Sequence, residues 1–349
     1  MAQRLATSLA NHPYDGRNGV IKSLTIFTPT RLARSSCQTF TKLEADFKIH
    51  YPNFNGHIFI GATGIAVRAL SHVIQDKFHD LPVVVIDSLG QFAIALLAGH
   101  WGGANALTRH LAKIIQATPV ITTASEHIYP DYLSLDLTIQ KYDLSILDPE
   151  YLPLIQGLIL EGEKIDLYDP ENIYPESPYL TKVDQIVLNT DNKPFISLGF
   201  KNVQPAKNHL RLIAQRLIAG IGLHRGLEQK FFLSSILKAL DRYAINKHAI
   251  KAIASIDRLK DEPALSALAK YFNCPCHFFS AETLAEISVP NPSVQAGRAF
   301  NQQPFSVAEA SAILAAKLYF TDCKLLYPKI KIDGQITFAL AKGRIKIKN

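Results

Sequence analysis

Residues 92–109, FAIALLAGHWGGANALTR, confine the chain to a strand, a glycine turn and a helix in close succession. The apolar run Phe92 to Leu97 reads as a strand. Gly99, His100, Trp101, Gly102 and Gly103 break it, and helical character resumes at Ala104, with Leu107 and Leu111 one turn apart on one face. That order leaves backbone N–H groups at the helix N-terminus pointing outward. Such an end favours an anion by about 0.3–1 kcal/mol. Gly102 and Gly103 have no side chain to keep a ligand off the backbone. His100 is the one group in the turn that moves a proton near neutral pH. The positive helix end disfavours its imidazolium, so a neutral ring is expected. The plain alternative is a tight turn whose glycines serve packing and whose tryptophan covers a core edge.

Around this stretch, short apolar strands alternate with helices. Ser23–Thr28, Gly56–Ile60, Val83–Ile86 and Pro119–Thr122 read as strands, Pro29–Lys42 and Ile65–Ile74 as helices, and Phe47–His50 as a short strand. Met1–Gly19 reads as a loose polar extension. Alternation of this kind implies a mostly parallel sheet, with ligands beyond the carboxyl ends of its strands. Gly61–Gly64, Asp87 and Thr122–Thr123 each follow a strand there. Gly99–Gly103 does too, although the short turn at Leu89-Gly90 allows its strand to run antiparallel to its neighbour.

From Ala124 to Ala206 prolines cluster. A helix is expected near Pro149–Glu161, with short strands near Ile165–Tyr168 and Gln185–Leu188. Leu210–Ile221 reads as one strand region entering a further domain. Ile250–Ile256, His277–Phe279 and Thr337–Ala341 are strands, and Leu227–Tyr243, Glu262–Tyr271 and Ser280–Glu286 are helices. Ser306-Val-Ala-Glu309 has the spacing of a capping box, and Lys342–Asn349 reads as a basic tail. The expected fold class is α/β: two α/β domains with mostly parallel sheets, residues 1–123 and 206–349, joined by a small α+β middle domain, 124–205.

Charge follows the same division. Residues 1–123 hold 11 basic and 6 acidic side chains, 124–200 hold 4 and 14, and 201–349 hold 22 and 10. Two basic segments attract anions. Zinc-finger spacing, RRM aromatics and a KH loop are all missing from the sequence, which favours a small anionic ligand over nucleic acid. No apolar run is long enough to span a membrane. With no secretory signal and four cysteines (Cys37, Cys274, Cys276, Cys323), reduced thiols in a cytoplasm are expected. Cys274-Pro-Cys276 has no second pair to complete a metal site, so no metal is assigned. Gly220-Ile-Gly222 matches a dinucleotide fingerprint only loosely.

The runs Gly61-Ala-Thr-Gly-Ile-Ala-Val-Arg68, Pro82–Asp87, Gly99-His-Trp-Gly-Gly-Ala-Asn105 and Val120–Ala124 resemble the cobalt-precorrin-5A hydrolase family (CbiG) of anaerobic cobalamin synthesis. Gly220-Ile-Gly222, Ser255–Asp257, Phe279–Glu282 and Ser306–Ala310 follow in the family's order, so the resemblance covers about residues 23–345. Two positions depart from it. Leu223 and His224 stand where the family usually has cysteine and a basic residue, and Lys260 lies three residues after Asp257 rather than two.

The resemblance implies a substrate and a reaction. Water opens the δ-lactone of a cobalt macrocycle, acetaldehyde leaves, and cobalt-precorrin-5B is the product. No dissociable cofactor is implied, because the cobalt belongs to the substrate. Other enzymes of the pathway, or a second copy in a homodimer, are the protein partners it leaves open. Lactone opening needs a base for water and donors for an oxyanion. His100 with Asn105 is the expected catalytic pair, and the Gly102 and Gly103 amides are the expected donors. Arg68 and Arg109 would clamp carboxylates. Thr63, Gly64, Asp87, Thr123, Gly222 and Glu309 complete the expected substrate-binding set. The rival readings are a non-catalytic tetrapyrrole-binding protein of the same pathway and, more weakly, a nucleic-acid binder.

Overall fold

The computed structural model describes all residues except 12–13, 17–18, 22, 125–127, 129–131, 187–192 and 346–349. The chain divides into two compact units, Met1–Leu137 and Thr138–Asn349. Among the described residues no helix is long and apolar enough to cross a membrane.

The first unit opens with a helix, α1 (Ala2–Asn11), where the sequence suggested a loose extension. Leu5 and Leu9, one turn apart, are both buried and supply the apolar anchor. Two short strands, β1 (Phe27–Pro29) and β2 (Gln38–Phe40), pair in parallel. The expected helix over Pro29–Lys42 is absent, and the expected strand at Phe47–His50 is instead helix α2 (Leu43–His50). Glu44 and Asp46 in its first turn and Lys48 and His50 in its last match the helix dipole, which decides for helix over an ambiguous short apolar run.

The main sheet of this unit comprises β3 (His57–Ile60), β4 (Val83–Ile86), β5 (Phe92–Leu97) and β6 (Thr118–Val120), in that order. Helix α3 (Thr63–Leu70) follows β3, and α4 (Ala104–Ile115) follows β5. Val83–Ile86 is fully buried because helices cover both faces of the sheet. Val84, Ile86 and Ala93 pack with Leu5, Leu9, Leu107 and Leu111 of α1 and α4. Val83 and Phe59 pack on the other side with Phe47 of α2 and Leu70 of α3. The pairs β3–β4 and β5–β6 are parallel, but β4 and β5 are antiparallel. This one reversal sends the carboxyl ends of β3 and β4 to one edge of the sheet, and those of β5 and β6 to the opposite edge.

The second unit holds two five-stranded sheets. The first comprises β7 (Leu144–Ile146), β8 (Ile165–Tyr168), β9 (Leu180–Val183), β10 (Phe195–Gly199) and β11 (His209–Ala214), with α5 (Leu152–Leu160) between β7 and β8. It is parallel except where β7 meets β11. The strand expected near Gln185–Leu188 falls earlier, at β9, and Val187–Leu188 lie outside the described residues. The second sheet comprises β12 (Leu217–Leu223), β13 (Ile250–Ile256), β14 (Cys276–Phe279), β15 (Phe320–Ile332) and β16 (Ile336–Ile345). Helices α6 (Gln229–Arg242), α7 (Pro263–Phe272) and α8 (Ala281–Ala285) connect or follow its parallel strands, and α9 (Val294–Phe300) comes next in the chain. Leu210–Ile221 is therefore two strands in two sheets, parted at Gln215-Arg216. The basic tail begins within β16, whose pairing with β15 forms a long hairpin.

Candidate functional site

The opposed strand directions separate the expected site residues. Gly61–Gly64 and Asp87 lie at the edge formed by the ends of β3 and β4, joined by the hydrogen bond from Gly61 N to Ile86 O at 2.8 Å. Gly99–Asn105 and Thr123 lie at the opposite edge, where Leu97 is level with Val83.

The glycine turn is closed on itself. Gly102 N and Ala104 N both donate to Ala98 O at 3.1 Å, Gly103 N to His100 O at 3.2 Å, and Asn105 N to Gly99 O at 3.0 Å. The expected oxyanion donors, Gly102 and Gly103 N–H, are thus spent within the turn, because the chain folds back over Ala98 before α4 begins. The glycines answer to packing. A Cβ on Gly102 would stand 2.5 Å from Ala98 Cβ and 3.1 Å from Pro82 N. Gly103 adopts φ +88°, which a side chain disfavours by about 1–2 kcal/mol.

His100 is buried, at 8 % exposure. Asn105, also buried, donates through Nδ2 to Thr123 Oγ1 at 3.0 Å, and its Oδ1 lies 2.7 Å from where a Gly99 Cβ would stand. Asn105, Thr123 and the turn are thus brought together. Trp101 donates through Nε1 to Asp136 Oδ1 at 3.1 Å and packs edge-on against Phe78, 5.0 Å between ring centres. Arg109, one turn beyond Asn105 on α4, is exposed.

The other edge is open. Asp87 Oδ1 accepts from Phe92 N at 2.7 Å and Oδ2 from Leu89 N at 3.1 Å, building the β4–β5 turn. These amides, that of Phe92 foremost, hold the exposed Asp87 carboxyl below its ordinary value. Gly61 has φ +149°, a conformation that favours glycine. Thr63 and Gly64 form the first turn of α3, and Arg68 lies exposed in its last. Among the described residues, no heavy atom beyond its chain neighbours and its own helix backbone lies within 4 Å of a Cβ built on Gly64. Glycine is a poorer helix former than alanine, and among the described residues no contact requires its small size here.

In the second unit, a Cβ on Gly220 would collide with the Ala308 carbonyl of α10 (Val307–Tyr319), and one on Gly222 would stand 2.5 Å from Thr337 Oγ1. Both glycines let α10 and β16 pack on β12. Ser306 Oγ accepts from Glu309 N at 3.3 Å, half of the expected capping box. The Glu309 carboxylate, fully buried, reaches elsewhere. It accepts from Asn291 N and Nδ2 at 3.0 and 2.8 Å and from Lys329 N at 2.9 Å, tying the 291 loop and β15 to α10. These bonds give Glu309 a structural task, the alternative that its capping-box spacing already offered beside substrate binding, but with Asn291 and Lys329 as the carboxylate's partners. Burial pushes the Cys274 and Cys276 thiols up to about 11 and about 12. Among the described residues no group of three or more His, Cys, Asp or Glu side chains is arranged to hold a metal.

Comparison with known proteins covers both ends of the chain. A family model described as cobalamin synthesis G N-terminal matches residues 46–126, and one described as cobalamin synthesis G C-terminus matches residues 217–341. The chain is 35% identical over 246 residues to a cobalt-precorrin-5A hydrolase of Salmonella typhimurium, spanning 68% of this chain and 69% of that one. It is 27% identical over 257 residues to a cobalt-precorrin-5A hydrolase of Priestia megaterium, spanning 70% and 68%. A solved structure of a cobalamin biosynthesis protein G homolog from Sulfolobus solfataricus aligns over 88% of this chain and 87% of its own, with 23% identity and a TM-score of 0.34.

Proposed function

The chain belongs to the cobalt-precorrin-5A hydrolase family, and from that premise we propose that it opens the δ-lactone of cobalt-precorrin-5A with water and releases acetaldehyde, giving cobalt-precorrin-5B. The observation that carries this reading is the 35% identity over more than two thirds of a curated hydrolase. Cobalt enters as part of the substrate.

At the level of residues, His100 is our candidate for proton transfer to and from water and the lactone oxygen. Asn105, fixed by Thr123, keeps the turn in register beneath it. With the Gly102 and Gly103 amides occupied, the developing oxyanion must find other donors. Arg68 and Arg109, both exposed, are the candidates for holding peripheral carboxylates, since a guanidinium grips a carboxylate through two hydrogen bonds.

The test is incubation of the protein with cobalt-precorrin-5A and trapping of acetaldehyde. Stoichiometric acetaldehyde with repeated turnover is expected. Tight binding without acetaldehyde would overturn the hydrolase reading in favour of a tetrapyrrole-binding protein.

A further inference from the structure

Helix α3 presents an outward face that its own fold does not use. Ala66, Ala69 and Leu70 are buried against the sheet, whereas Ile65 and Val67 are 48 % and 51 % exposed. At 3.6 residues per turn, Gly64 and Arg68 lie nearly in line along the helix, with Ile65 on one side of that line and Val67 on the other. The result is a shallow trough, floored by bare backbone at Gly64 and walled by two apolar side chains. Arg68 stands at its far end, and among the described residues its guanidinium has no ion-pair partner.

Three features need a common cause. Gly64 carries no side chain although, among the described residues, no atom outside its own stretch of helix crowds the place a Cβ would take. Two β-branched apolar side chains face water on an eight-residue helix that already has a complete buried face. Two further apolar side chains, Ile60 and Leu89, are 37 % and 73 % exposed at the open edge of the sheet, where α3 begins. A flat ligand that approaches the backbone closely, buries apolar surface and carries a carboxylate accounts for all three.

We infer that this face of α3 is where the ring system of the substrate lies, with the ring edge over Gly64, apolar contacts from Ile65 and Val67, and one peripheral carboxylate on Arg68. For the identity of the ligand the inference rests on the hydrolase reading above. A macrocycle bearing carboxylate side chains matches both the apolar trough and its unpaired cation. After α3 the chain runs on to Phe78, against which Trp101, the residue after His100, packs edge-on.

The test uses the full-length protein and cobalt-precorrin-5A. Gly64→Leu adds a good helix former in open space, so the melting temperature should not fall. Its KM should rise about tenfold or more, with kcat within about twofold of wild type. Arg68→Gln should raise KM by a similar factor, and Arg68→Lys by less, because lysine keeps the charge but loses the two-pronged grip. Wild-type KM in both Gly64→Leu and Arg68→Gln would overturn the inference. Quenching of Trp101, the only tryptophan, reports binding without turnover. If the wild type binds but releases no acetaldehyde, the hydrolase reading fails, and the same titration still decides the trough. Weaker binding by Gly64→Leu supports it, and unchanged binding overturns it.

Discussion

The Gly99–Asn105 turn and the Gly61–Arg68 segment are both strand–glycine–helix passages in one small unit, yet their glycines answer to different forces. At the first, Gly102 and Gly103 are fixed by contacts with Ala98 and Pro82 and by a positive φ, and the local amides are bonded inside the turn. At the second, the place a Gly64 side chain would take is open among the described residues, and the flanking apolar side chains face outward. The contrast teaches that a glycine motif carries two messages, close packing and close approach, which only the surroundings tell apart. It also divides the labour in our account. The closed edge holds His100 rigidly for chemistry, and α3 receives the ligand.

The largest expected effect is on chemistry at the closed edge. His100→Ala should lower kcat by about 10²–10⁴-fold while Trp101 quenching still reports near-normal substrate affinity. Near-normal kcat at saturation combined with a lowered melting temperature would reduce His100 to a structural part of the turn.

Next comes stability at the same edge. Gly102→Val pushes a branched side chain into Ala98 and Pro82, and should destabilise the unit by about 1–3 kcal/mol in denaturant unfolding. A fully stable Gly102→Val protein would erase the distinction between packed and open glycines.

The smallest effect is on pH. His57 opens β3 at the closed edge and donates through its backbone N–H to Pro82 O. Its ring stacks on Tyr51 and meets Phe47 edge-on, and burial pushes its imidazole below the ordinary 6.5. A lowered histidine pKa means the stability of the neutral ring is whole above pH 6.5 and is lost as pH falls from there through the folded value. Asp87 at the open edge, held below its ordinary 3.8, stays ionised across that window. Hydrogen exchange corrected for intrinsic rates should therefore accelerate around His57, and not in the Asp87–Phe92 turn, between about pH 7.5 and about pH 5. Equal acceleration at both would break the comparison.

Much of this frame was legible in the sequence, because Gly56–Ile60, Val83–Ile86, Phe92–Leu97 and Ile250–Ile256 are compact apolar runs with clear stops. Three elements were not. In α1 only Leu5 and Leu9 carry the apolar signal. In α2 the run Phe47–His50 suits a strand as well as a helix until the dipole charges are weighed. In β15 lysines interrupt the alternation along a sheet edge and the register shifts repeatedly. The site was legible as a set of motifs but not as a place. Whether Gly61 and Gly99 share an edge depends on the direction of β5 against β4, and the short turn at Leu89-Gly90 pointed to the antiparallel pairing that parts them without excluding a shared edge. The occupied amides of the turn and the open space at Gly64 likewise depend on how the backbone folds around them.

The most direct test of this division is hydrogen exchange of the His100→Ala protein with and without cobalt-precorrin-5A, since a variant slowed in turnover keeps the substrate intact while bound. The account predicts slower exchange across residues 63–71 when the substrate is present. Unchanged exchange across 63–71, with protection appearing elsewhere in the chain, would contradict it.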